Sequence, residues 1–386
     1  MAVRPFQMSD IAGVNQLHKD IGWTVPSFEL WQWLADNPAR ANAPIGWVID
    51  NDGRIDGFLG SFRLGYYRGS TRYTSTTSHS VIVSPRVKGA IRDLILPFLD
   101  QKDTFATTIL NANEVGSPVY RRYGVKPLRA PTHDLKLSWI VGPTLAIAAK
   151  IMRRMAEHFP ALYPVFGERF TPYASIRFDA RRVRWPKNIF VLEDLGDNSS
   201  LGQFWADLKN EGQLVVDRSP ATLRWRLSMP DQVVKPLLLG YYDQKGLCAY
   251  ALGQLSKMGP LDIPTVEIID MIALNRAPAQ AIPTLVKSMQ MAAEKMGALK
   301  VRLPLVSPKL YEQLAHKAKT AHREGGWGHA FAVFNVPEHE LDDWQPTAFE
   351  GSYSFTLRPP HFKLGKNPYD HRKAMRLSEN MLVSET

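Results

Sequence analysis

The stretch Ser78-His79-Ser80-Val81-Ile82-Val83 is followed by Ser84-Pro85-Arg86-Val87-Lys88-Gly89-Ala90, and then by Ile91 and a helical run through Leu94, Ile95, Phe98 and Leu99. A second strand, Phe105 to Leu110, leads to Asn113-Glu114-Val115-Gly116-Ser117-Pro118-Val119-Tyr120 and on to Gly124-Val125. The reading is strand, tight turn, helix, strand, helix. A strand that stops at Pro85 and passes through Lys88-Gly89 into a helix leaves the first helical amides unpaired. Such a helix start suits a phosphate or another anion.

Working outward, residues 2 to 8 read as a strand and Ser9 or Asp10 begins a helix through Val14, Leu17 and Ile21. A second helix follows Pro26-Ser27 and ends before Pro38. Strands at 45–49 and 55–60 meet at Asn51-Asp52-Gly53, a hairpin turn because Asn, Asp and Gly tolerate positive φ. The pattern then recurs. Trp33, before Pro38, matches Trp225, before Pro230, 192 positions on; Gly53 matches Gly246, and Tyr120 matches Tyr311. A nearly constant offset predicts two copies of one fold. The expected layout is an N-terminal domain over 1–140, a basic amphipathic linker over 141–188, a C-terminal domain over 189–340 and a basic tail over 341–386.

Composition narrows the classes. The chain has 386 residues, more than one core normally serves, with 45% apolar and 22% charged residues. Cys248 is the only cysteine, which excludes an internal disulfide and a cysteine-based metal cluster. No spacing of His, Asp and Glu marks a metal site, and no serine elbow supports a hydrolase triad. With no long apolar run, a cytoplasmic protein is expected. The net charge of +10 calls for an acidic partner: CoA phosphates, an acyl carrier protein, tRNA or an anionic membrane face. In the linker, Leu145 to Phe159 is helical in pattern, and Arg169, Arg177, Arg181, Arg182, Arg184 and Lys187 follow among aromatic residues. Peripheral contact with the inner membrane face is one expectation for such a segment, and inter-domain packing is the other.

The order of elements from Ser78 to Val125 resembles the core of the GNAT-fold N-acyltransferases. Asn113, Tyr120, Gly124 and Val125 carry the likeness on the second strand and its helix, and Lys88-Gly89 carries it at the turn, where Ile91 stands in place of the family's Gly or Ala. The resemblance implies a mixed α/β fold of two tandem GNAT domains, each a mostly antiparallel sheet with flanking helices. It implies acyl-CoA as donor, bound by Val83, Lys88, Gly89, Ala90, Ile91 and Asn113, and Tyr120 as the acid for the departing thiolate. The candidate bases are His79, Asp270, which the repeat places opposite it in the second copy, and Glu114. The second copy, where Asn275-Arg276-Ala277-Pro278 leads straight into a helix, is expected to be degenerate. The acceptor is a primary amine, and the long groove of two copies suits an amphiphilic, sphingoid-type amine, as in the bacterial ceramide synthases, which are similar in kind. The competing readings are an aminoacyl-tRNA-dependent transferase of the FemABX kind and a non-catalytic binding protein of the same fold.

Overall fold

The chain is described by a computed structural model that covers residues 1–353 apart from 22, 88, 114, 115, 160–175, 233, 258–262 and 327. Its first half runs β1 (Ala2–Pro5), α1 (Ile11–Asp20), α2 (Phe28–Ala35), β2 (Gly46–Asn51), β3 (Arg54–Arg68), β4 (Thr71–Val83), α3 (Ile91–Leu99), β5 (Ala106–Ile109), α4 (Gly116–Arg122), β6 (Lys126–Pro127) and β7 (Leu135–Ile140). Then come α5 (Pro143–His158), β8 (Ile189–Val191), α6 (Ser200–Asn210), β9 (Val215–Val216), α7 (Pro220–Leu227), β10 (Leu237–Asp243), β11 (Gly246–Ser256) and β12 (Thr265–Ala273). The remainder is α8 (Ala281–Lys295), β13 (Lys300–Leu303), α9 (Pro308–Gln313), α10 (His316–Thr320), β14 (His322–Gly325) and β15 (Phe331–Phe334).

Local chemistry sets many of these boundaries. At the β2–β3 turn Asp52 and Gly53 both take positive φ, 53° and 85°, which matches the twist of a two-residue hairpin. Ser27 begins α2 by accepting the Leu30 amide at 3.1 Å, and Ser219, 192 positions on, begins α7 by accepting the Thr222 amide at 3.3 Å. In α3 the apolar positions Leu94, Ile95 and Phe98 are fully buried against β2 and β3.

The strands form two sheets of matching order. The first reads β1-β2-β3-β4-β5-β15-β6, with β9 paired to the far end of β3, and the second reads β8-β10-β11-β12-β13-β7-β14. In each, one pair at the centre is parallel: β4 with β5, and β12 with β13. The sequence pattern did not announce what fills the next slot. Strand β15, from the second half, pairs with β5, and β7, from the first half, pairs with β13. The halves therefore exchange a strand in both directions, although the sequence divides them near 140.

The matched tryptophans meet where the halves join. Trp33 and Trp225 stack with ring centroids 4.3 Å apart and planes 5° from parallel. Each indole N–H donates to the other's backbone carbonyl, at 2.7 and 2.9 Å. A relation that reads the same from either side is that of a two-fold axis. Between the sheets lies one large core, while a smaller one under α3 and α4 gathers Trp47, Leu59, Leu94, Phe98, Tyr120 and Phe331.

The exchange makes a fragment prediction. Residues 1–140 expressed alone leave one edge of β5 unpaired and give β7 no sheet to join, so they are expected to aggregate or stay unfolded. Solubility and a thermal unfolding trace decide it: a soluble fragment with a cooperative transition would mean that β15 is dispensable.

Candidate active site

The site is created by two parallel strands that part. Strands β4 and β5 are in register only from Ser75–Ala106 to Thr77–Thr108. Beyond that point β4 carries a bulge against β3, with Ser80 at a φ of 50°. A bulge bends its strand and interrupts pairing, so the amides of β4 after Thr77 turn away from β5. The second sheet repeats the device: β12 and β13 pair from Thr265–Lys300 to Glu267–Arg302 and then separate.

Tyr120 closes the gap from the α4 side. It is buried, packs on Phe331 with ring centroids 6.2 Å apart, and has the Ser78 side chain of β4 as a polar neighbour. Burial raises its pKa, and Ser78 only partly offsets this, so the phenol keeps its proton at neutral pH. Such a group can donate a proton. Ser78 has no sequence signature of its own, since only the fold brings it to Tyr120.

His79 lies on the opposite face of β4, because successive strand residues alternate. Its partner across the sheet is Gly60, and a methyl group at Gly60 would come within 2.1 Å of the imidazole Cε1. The ring thus rests flat on a glycine, with Phe58 edge-on at 5.9 Å. It is buried on the side that faces the second sheet.

The turn from β4 to α3 is a single 3-10 turn, Pro85–Val87, followed by Gly89 at a φ of 82°. No side chain caps α3, whose first residue follows Ala90. The half-buried side chains of Val83, Val87 and Ile91 pack into the core beneath, so the β-branched residue at 91 points inward. Asp56 anchors the turn: its backbone carbonyl accepts the Ser84 amide at 2.8 Å, and its fully buried carboxylate accepts from Arg54 at 2.7 Å and Arg86 at 3.3 Å. The Arg54 hydrogen bond holds the Asp56 carboxyl below its ordinary range. Lys88 and Glu114 lie outside the described residues.

Two further residues take structural places. The Asn113 side chain is exposed and accepts the Gly116 amide at 2.6 Å, capping α4. Asp270 is fully buried and accepts four hydrogen bonds, two from Arg218 at 2.9 Å, one from Tyr250 at 2.5 Å and one from Thr347 at 2.8 Å. These donors, with a buried guanidinium beside them, hold the carboxylate in one position. It is a brace between the β9–α7 connection, β11, β12 and the segment after β15, not a group turned toward a cleft. At the corresponding turn of the second sheet there is a cleft of about 270 Å³, lined by Ala273, Ala277, Pro278, Ile282, Glu312 and Ala315 among others.

No protein-family model and no curated protein matches the chain. Among solved structures it is similar to the N-myristoyltransferase of Saccharomyces cerevisiae with bound myristoyl-CoA. The TM-score there is 0.51 at 10% identity, covering 91% of this chain and 84% of that one. It is also similar to a conserved protein of unknown function from Enterococcus faecalis V583, described as a probable N-acyltransferase, with a TM-score of 0.50 at 12% identity over 89% of this chain and 74% of that one. The likeness is one of fold: a mixed α/β architecture of the GNAT-like acyltransferase type.

Removing the Asp270 carboxylate tests the brace. Asp270→Ala takes from the buried Arg218 its bidentate partner and leaves it only the more distant Glu350 carboxylate at 3.9 Å, and is expected to cost about 3–5 kcal/mol of stability. Urea unfolding measures it; a change under about 1 kcal/mol would mean that the pair is dispensable to the fold.

Proposed function

We propose that the chain is an N-acyltransferase that moves an acyl group from acyl-CoA to a primary amine. The observation that carries this reading is the gap between β4 and β5, with the protonated Tyr120 hydroxyl beside Ser78 at its edge and an uncapped helix start at the turn that follows β4. The fold shared with a myristoyl-CoA-bound N-myristoyltransferase supports a thioester donor.

In this proposal the amides of Gly89, Ala90 and Ile91, with the Lys88 ammonium, hold the donor's phosphates at the positive end of α3. The acyl arm enters the gap. The β4 amides freed by the bulge donate to the thioester carbonyl, whose oxygen gains negative charge as the amine attacks. The new C–N bond forms, the C–S bond breaks, and Tyr120 gives its proton to the departing thiolate. The ammonium proton goes to a base on the other face of β4, where His79 is the candidate. Acid and base then flank one strand, so donor and amine approach from opposite sides. The acceptor class we favour is an amphiphilic amine of the sphingoid type, which suits the basic chain and an anionic membrane face.

Two variants separate binding from chemistry. Lys88→Glu is expected to weaken CoA binding at least about tenfold in titration calorimetry while the unfolding transition persists, since it reverses a charge at the phosphate site. Unchanged affinity would move the donor elsewhere. Tyr120→Phe removes only the hydroxyl, so kcat should fall roughly 10²-fold or more with CoA affinity kept. Full turnover in that variant would leave Tyr120 a packing residue.

A further inference from the structure

Helix α5 carries an apolar stripe that nothing among the described residues covers. Ile147, Ile151, Met155 and Phe159, spaced by four, are 64%, 54%, 42% and 59% exposed. Four-residue spacing keeps them in one gently drifting line. Single exposed apolar residues need no explanation, but a row of four large ones along a helix does.

The helix is held at its start, and its exposed line meets no cover among the described residues. The Val141 and Gly142 amides both donate to the Leu299 carbonyl, at 2.9 and 3.0 Å, and Leu145 packs on Ile263 and Leu299. By helical position Lys150 and Arg153 lie on the arc away from this line with a single acidic residue, Glu157, and Arg154, seven residues after Ile147, flanks it. Arg154 is exposed.

We propose that α5 docks this protein in the plane of an anionic bilayer, with the Ile147-Ile151-Met155-Phe159 stripe among the acyl chains and the basic arc at the headgroups. Charge selects this occupant over the others. A second copy of the chain brings the same formal +10, and the chain's own segment from 363 to 373 is itself basic with Lys363, Lys366, Arg372 and Lys373, so neither complements the arc. No helix among the described residues is long and apolar enough to cross a membrane, so docking is the mode of contact open to them. The inference deepens the acceptor half of the proposed function, and its test is independent of catalysis.

The full chain is sedimented at low salt with phosphatidylcholine vesicles and with vesicles containing about one third phosphatidylglycerol. Binding is expected to the anionic vesicles and to fall as salt rises, because several basic residues near the surface contribute. The variant Ile147→Asn/Ile151→Asn, exposed and so expected to keep the wild-type unfolding transition, should lose at least about tenfold in vesicle affinity. No binding by the wild type, or equal binding by the variant, overturns the proposal. A variant that turns a dimer into a monomer by light scattering also overturns it, assigning the stripe to self-association. Acyl transfer to a short-chain, water-soluble sphingoid-type amine is the control. Its absence from wild type sinks the proposed reaction without touching the vesicle result, whereas its retention in the variant alongside lost vesicle binding supports docking.

Discussion

The backbone edges of β5 and β13 set the terms for the rest of the structure. Each is a parallel strand that separates from its neighbour after three paired positions, so each needs a partner on its other side or leaves a row of amides and carbonyls unpaired in the interior. The chain meets both needs by exchange, with β15 on β5 and β7 on β13. Once each half completes the other, the two cannot part. The Trp33–Trp225 stack and the hydroxyl of Tyr353, which donates toward the carbonyls of both Leu110 and Pro304 at 3.0 and 3.3 Å, then fall where the halves face one another. Those carbonyls follow the ends of β5 and β13, so one side chain secures both strands.

Inside matching frames the two sheets have diverged in opposite directions. In the second, Leu252 stands across from Asp270, and the carboxylate is locked by Arg218, Tyr250 and Thr347. In the first, Gly60 stands across from His79, and Phe58 supplies a ring edge and no hydroxyl. Burial opposes the Arg218 charge, and Asp270, Tyr250 and Glu350 together outweigh that opposition, so the guanidinium pKa is raised. A buried, bidentate pair of this sort is costly to break and contributes rigidity at the place where the other sheet holds the imidazole of His79.

The repeat was legible because its markers are constrained in both halves. Trp33 and Trp225 each need an indole N–H for the other's carbonyl, and Gly53 and Gly246 each take positive φ at a hairpin. The strand exchange was not legible. Period-two alternation in Leu135–Ile140 or Phe331–Phe334 is the same whichever sheet receives the strand, and pairing across some two hundred residues leaves no local trace. At the site, Tyr120 was reachable from its place after Asn113, but the Asn113 side chain caps its own helix. Ser78 and Asp56 matter through partners brought by the fold. In α5 the amphipathic pattern was plain, but which line of apolar residues packs inward depends on Leu145 meeting Ile263 and Leu299.

The glycine opposite His79 connects backbone to chemistry. A bulged strand parts from β5 and frees amides for a carbonyl oxygen, but the same bend brings the His79 ring over β3, where a Cβ at position 60 would overlap it at 2.1 Å. With glycine there, the strand can bend and the ring can lie flat, leaving Ser78 and Tyr120 to the other face. The parting of β4 from β5, the placement of the phenol and the placement of the imidazole are therefore one geometric solution, in which a bulge at Ser80 and the missing side chain at Gly60 are the two requirements. The second sheet has its bulge between Leu252 and Gly253, where Gly253 faces Ile268 and Leu252 faces the braced carboxylate of Asp270. The first sheet thus sets a strand gap beside Tyr120 on one face of β4 and His79 on the other.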